Sequence, residues 1–229
     1  MNCVILQPNY IPWRGYFHQI LLADVFVFYD DVQYDKNGWR NRNRVKTPNG
    51  SQWLTIPVIS TGVVKNKTAI KDIKIDWTKD WSRKHWTTIT QAYSKAPYFN
   101  QYADELVNYY QKRYDLLADL TIDMTIQLSK LLGNQKTRFI RSSSLEGIHG
   151  TKTERLVQIL KRVGANQYIS GPSAMDYLDE PLLKENGISL EFMKYEYRDY
   201  PQLYPPFDGQ VSIIDLLFMT GNGAIDHIL

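Results

Sequence analysis

The chain has 229 residues, 43% of them hydrophobic and 22% charged, with a formal net charge of +3. That length suits one compact domain, or one domain carrying an inserted lobe, and the charge is too small to imply wholesale nucleic-acid binding, although a local basic stripe could still serve an anionic ligand. The longest apolar runs, 25–29 and 213–219, are too short to cross a bilayer, the N-terminus lacks a secretory pattern, and the lone cysteine, Cys3, forms neither an internal disulfide nor a zinc signature. A cytoplasmic protein with no membrane span is expected. Tyrosine occurs 16 times and tryptophan 6 times, which suits a sugar or nucleobase pocket as well as a core with polar margins.

In chain order, a first strand is predicted over 3–6, followed by the loop Gln7-Pro8-Asn9-Tyr10-Ile11-Pro12-Trp13 and a short helix over 15–23. The β-branched and aromatic run 25–29, closed by Asp30 and Asp31, predicts a second strand parallel to the first. Alternating segments at 39–45, 53–59 and 69–75 then read as an antiparallel insertion. Helical spacing over 80–132 predicts two or three helices ending at Gly133. Strands at 137–141, 167–170 and 189–194, with helices near 151–163 and 177–186, return to a βαβ pattern. Ser212 is placed to cap a final short helix. The expectation is a single α/β domain over 1–229: a Rossmann-like, mainly parallel five-stranded sheet with a β and helical lobe inserted at 39–135.

In such a sheet the ligand crevice lies beyond the carboxyl ends of the strands. After the first strand, Gln7 and Asn9 offer amide groups, and Tyr10, Trp13 and Tyr16 offer aromatic faces. After the third predicted core strand come Ser142, Ser143 and Ser144, then His149, Gly150, Thr151 and Lys152, a hydroxyl, glycine and lysine mixture that suits phosphate without being a Walker A loop. Thr151 with Glu154 also reads as a helix capping box. After the fourth strand, Ser170, Gly171 and Ser173 form a tight turn that clamps a phosphate or ribose, or simply caps a helix. Arg40, Arg42, Arg44 and Lys46 alternate with Asn41 and Asn43, so on a strand the four cations share one face at steps of about 6.7 Å, an anion rail or a charged edge. Asp30, His149 and Lys152 are the candidate catalytic groups, with Asp31 beside them for a sugar hydroxyl or a cation. No metal-ligand set is assigned.

Several of these segments resemble the WbqC-like proteins: the Gln7 to Trp13 loop with Gly15-Tyr16-Phe17, Phe28-Tyr29-Asp30-Asp31-Val32-Gln33-Tyr34, Trp39-Arg40-Asn41-Arg42-Asn43-Arg44, Ile169-Ser170-Gly171-Pro172-Ser173, Tyr200-Pro201-Gln202 and Ser212-Ile213-Ile214-Asp215-Leu216-Leu217. The resemblance runs over residues 3–221 and implies a role in bacterial polysaccharide and O-antigen biosynthesis. The opening unit also looks like the nucleotide-binding fold of nucleotidylyltransferases and class I synthetases, yet their His-x-x-His or His-x-Gly-His phosphate motif is replaced by Asn9-Tyr10-Ile11-Pro12. The expected function is therefore a transferase that moves an acyl or aminoacyl group from an activated donor onto a nucleotide-linked amino sugar, with a small anionic molecule as its partner. The competing class is a nucleotide- or glycan-binding protein of the same pathway without catalysis.

Overall fold

The computed structural model describes residues 1–229. Five strands, β1 (Asn2–Leu6), β2 (Val25–Phe28), β5 (Arg138–Arg141), β6 (Gln167–Ser170) and β7 (Ser189–Phe192), form one sheet in the order β5-β2-β1-β6-β7, with every neighbouring pair parallel. Both faces of this sheet are covered, which is why β1 and β2 read as unbroken apolar runs rather than as alternating ones. Val4, Phe26, Phe28 and Ile169 point into a cluster of 45 buried residues on one face. Cys3, Ile5, Val25, Val27 and Tyr168 point into a second cluster of 13 on the other.

Helix α1 (Arg14–Leu22) joins β1 to β2, while α5 (Lys152–Val163) and α6 (Glu180–Glu185) connect β5, β6 and β7. Between β2 and β5 the chain inserts the hairpin β3 (Arg42–Thr47) and β4 (Gly50–Thr55), then α2 (Trp81–Tyr93), α3 (Phe99–Gln111) and α4 (Leu117–Leu131). The three helices bury Ile89, Tyr93, Leu106, Leu120, Met124 and Leu128 in the larger cluster, together with Phe218 of the closing helix α7 (Ile213–Thr220). Gly133 ends the α4 segment at φ +85, a conformation that a side chain disfavours. Ser212 caps α7 by accepting from the Ile214 amide at 3.4 Å.

The insertion departs from expectation in one element. Residues 69–75 form no continuous strand: a 3-10 turn at Ile70–Asp72, where the Ile70 amide donates to Val32 O at 2.9 Å and the Lys71 amide to Asp30 O at 2.8 Å, is flanked by isolated antiparallel bridges from Ala69 to Gln33, Lys74 to Leu116 and Ile75 to Val58. This pins the segment to the chain leaving β2. Ile70 and Ile73, both buried, stand three residues apart, the spacing that a 3-10 turn brings to one side. The hairpin itself starts later and ends earlier than the sequence pattern suggests, at 42 and 55 rather than 39 and 59, its two strands closing at the Thr47–Gly50 pair.

Candidate functional site

The order β5-β2-β1-β6-β7 reverses direction of progress between β1 and β6, so the crevice above the carboxyl ends of these two strands is the switch point at which doubly wound sheets bind ligands. A cavity of about 520 Å³ lies there. Its floor is Ile5, Leu6 and Gln7 at the end of β1; its walls are Asn9, Trp13, Tyr16 and Gln19 on one side and Gly171, Pro172 and Ser173 on the other. Tyr29, Tyr168, Tyr177 and Tyr195 add aromatic surface, and Arg40 and Lys152 contribute two cations. A second lobe of about 280 Å³ shares Asn9 and Trp13 with the first and extends to Pro12, Trp39, Asn43 and Gln210. Neither lobe is lined by a carboxylate or an imidazole.

The loop after β1 is held from several sides. The Asn43 amide nitrogen donates to the Tyr10 and Ile11 carbonyls at 3.2 and 2.8 Å, and the Ile213 amide donates to Pro12 O at 2.8 Å. Ile11 sits at φ +35, an outlier for a β-branched residue that the surrounding bonds enforce. Gly15 is required because a Cβ there would stand inside the Trp13 indole. That close approach, with Tyr195 edge-on at 5.1 Å, fixes the indole that divides the two lobes.

Arg40 is the strongest electrostatic feature of the cleft. Its guanidinium donates to Asn9 Oδ1 at 2.6 Å, its buried Nε has no partner, and it takes part in no ion pair. Desolvation lowers its pKa, opposed by the nearby Tyr16, Asp35 and Tyr34. A partly buried cation without a direct ion pair is costly, and an anionic ligand would offset that cost. Lys152 opens α5 at φ +49 after Gly150 at φ +78, a sharp turn that brings it to the same cavity. The expected Thr151 and Glu154 capping box does not form, since Thr151 makes no side-chain cap. Burial raises the pKa of the tyrosine hydroxyls around the cleft, Tyr195 to about 12 and Tyr29 and Tyr168 also upward, so all three stay protonated at neutral pH.

The structure brings together Gln7, Asn9, Trp13, Tyr16, Arg40, Lys152, Gly171 and Ser173 of the sequence-predicted set. The four-cation rail does not exist. Arg40 precedes β3; Arg42 donates to Asn37 O at 2.6 Å and lies over Trp53 at 4.7 Å; Arg44 pairs with Asp208 at 3.6 Å; and Lys46 is buried, bonding the Pro206 carbonyl. The segment 194–211 crosses the hairpin there, which no local pattern announces. Asn41 is also buried, donating to Ile56 O at 2.7 Å.

Asp30, fully buried, accepts from Arg141 at 2.6 Å, from the Ser143 amide at 3.0 Å and from the Ser143 hydroxyl at 2.9 Å. Ser142 bonds Asp31 at 2.6 Å, and Asp31 pairs with Arg155 at 2.5 Å. These groups close the β2 and β5 strand ends on each other and do not line the cleft. Tyr10 is interior, its hydroxyl bonded to Tyr110 at 2.8 Å and to His85 Nδ1 at 3.0 Å. Ser170 is buried beside the Tyr168 hydroxyl at 3.3 Å, and His149 is exposed outside both lobes. Sequence reasoning missed Gln19, Tyr29, Tyr168, Tyr177, Tyr195 and Gln210. Two left a signal: Gln19 is a polar residue on the apolar face of α1, three residues from Tyr16, and Tyr195 follows the end of β7, another strand end in the sheet.

Fold and cleft together define a doubly wound α/β protein with a cationic, aromatic-lined site at its switch point. Residues 7–227 match the model of the WbqC-like protein family, and the chain belongs to that family. It is similar to the uncharacterized protein Rv1507c of Mycobacterium tuberculosis (strain ATCC 25618 / H37Rv), with 42% identity over 226 residues, 98% of this chain and 96% of the relative. No solved structure matches the chain. No helix is long and apolar enough to cross a membrane.

Proposed function

We propose that this protein is a transferase of bacterial surface-polysaccharide (O-antigen) synthesis that moves an acyl or aminoacyl group from an activated donor onto the amine of a nucleotide-linked amino sugar. The observation that carries this reading is the Arg40 guanidinium at the switch-point cleft, without a carboxylate partner and with a free Nε. A phosphate satisfies such a group, and Lys152, which lines the same cavity, supplies a second charge. Tyrosine faces above the strand ends suit the base or sugar of a nucleotide.

In the reaction the amine nitrogen attacks the donor carbonyl carbon and a C–N bond forms. The bond from that carbon to the leaving oxygen or sulfur breaks, and its electron pair departs with the leaving group. The ammonium proton passes to that group or to water. With no carboxylate or imidazole on the cleft wall and the tyrosines held protonated, the chain contributes by orientation and charge rather than by a strong general base. Gln7, Asn9, Gly171 and Ser173 orient the substrate, and Arg40 with Lys152 holds its phosphates.

The test is incubation of purified protein with nucleotide-linked amino sugars and a panel of acyl and aminoacyl thioesters and adenylates, with products read by mass spectrometry. An N-acylated sugar nucleotide is expected. Absence of turnover, together with no binding of either substrate class, overturns the reading.

The second reading, a binding protein without catalysis, is favoured by the position of Asp30 and His149 away from the cleft. Tight nucleotide-sugar binding with no product across the donor panel selects it.

A further inference from the structure

We infer that the smaller lobe is a subsite for a pyranose ring, the sugar portion of the nucleotide-linked substrate, stacked on Trp39 with Trp53 extending the platform. This rests on the reading of the larger lobe as the nucleotide site. Trp39 and Trp53 are 42% and 44% exposed, unusual for indoles, and their rings lie 5.2 Å apart at 35°. Neither is a solitary surface aromatic. Trp39 forms a wall of the smaller lobe, and Arg42 and Arg44 pack over Trp53 at 4.7 and 5.6 Å, holding the platform in place.

The polar groups of this lobe select the ligand. Asn9 Oδ1 is taken by Arg40 at 2.6 Å, and Gln210 Oε1 by Arg44 at 3.3 Å. Each arginine thereby fixes the amide orientation, and the groups left without a protein partner are the two carboxamide nitrogens, both donors. Asn43 is saturated by the Tyr10 and Ile11 carbonyls and the Arg44 amide, so it shapes the wall without offering a hydrogen bond. The lobe therefore presents indole faces and N–H donors, and no charge. A pyranose answers both features, because its C–H face is apolar and its hydroxyl or amide oxygens accept.

The order of the substrate follows from the geometry. Asn9 is shared by the two lobes and bonded to Arg40, so a phosphate at Arg40 stands at their junction. A nucleoside in the tyrosine-rich larger lobe then directs whatever follows its phosphates into the smaller one.

The experiment is calorimetric titration of wild type, Trp39→Ala, Trp39→Phe and Arg40→Met with ADP, GDP, UDP, CDP and dTDP and with their hexosamine-linked counterparts. Trp39→Ala is expected to bind the preferred nucleoside diphosphate within twofold of wild type and to lose on the order of tenfold or more for the sugar-linked form. Trp39→Phe restores most of that loss, and Arg40→Met weakens both ligands. Equal weakening of both ligands by Trp39→Ala, or weakening of neither, overturns the sugar subsite and leaves the nucleotide site standing.

If wild type binds no nucleotide at all, the nucleotide reading fails instead. The subsite is then decided by titrating a methyl N-acetylhexosaminide against the Trp39 indole N–H resonance. A saturable shift lost in Gln210→Ala sustains the subsite, and no shift overturns it.

Discussion

Replacing Arg40 by Met separates binding from stability in a way that few site substitutions do. The methionine keeps most of the aliphatic stem and removes the guanidinium, which has Asn9 as its single hydrogen-bond partner and no ion pair. A hydrogen bond between a charged group and a ligand contributes about 1.5–3 kcal/mol, so the affinity for the preferred nucleoside diphosphate should fall roughly 10- to 150-fold. Folding should respond in the opposite sense. The lost bond to Asn9, itself made by a charged group, costs about 1.5–3 kcal/mol, while relief of a desolvated charge that has no ion pair returns as much or more. Unfolding free energy is therefore expected to be unchanged or raised by up to about 2 kcal/mol. The assays are isothermal titration and urea denaturation on the same preparations, with Arg40→Lys as the control that keeps charge but loses the planar fork. Binding within twofold of wild type, accompanied by a stability loss of more than about 2 kcal/mol, would refute the argument and make Arg40 a structural strut.

Three further outcomes follow from buried titratable groups. His85 is pushed down to about 4 by burial, so the folding contribution of its neutral form is present above the ordinary imidazole range. That contribution drains as pH falls from about 6.5 toward about 4, worth on the order of 3 kcal/mol, and urea midpoints of His85→Gln should lack this acid-side slope. Asp215 is raised above the usual carboxylate range, by burial first, with the donors Tyr200, Tyr93 and Gln202 offsetting only part. Its contribution is full below the ordinary aspartate pKa and is lost as pH rises through the raised value, so Asp215→Asn should gain on wild type between acidic and neutral pH; a difference that stays constant with pH contradicts this. Cys3 is buried and its thiol is pushed up to about 12, again by burial. Thiol reagents should label it only on unfolding, at a rate that tracks the urea transition, and rapid labelling of the native protein would show the smaller buried cluster beneath β1 to be open.

Local chemistry made the sheet legible. Fully apolar runs at β1 and β2 need cover on both faces, and the recurrence of such runs between helical spacings calls for parallel strands with helical crossovers. Gly133 and Ser212 act through their own backbone neighbours, so their roles could be read from position alone. Part of the cleft was equally accessible, because Gln7, Asn9, Trp13, Gly171 and Ser173 follow strands whose carboxyl ends must share one edge.

The partners of charged side chains were not legible. Alternation in the 40–46 segment is real, but whether a cation on a strand faces an anion site or a neighbour depends on what crosses it. Asp208 and Pro206 arrive from more than 150 residues away to occupy Arg44 and Lys46, leaving Arg40 without an ion pair. The same holds for Asp30 and Ser142, 112 residues apart, which meet only because β2 and β5 lie side by side. Periodicity and turn chemistry are short-range and are written in consecutive residues, so strand order and cleft position could be inferred from them. Charge compensation is a property of distant segments brought into contact, and tertiary packing alone decided which of the four basic residues lines the cleft.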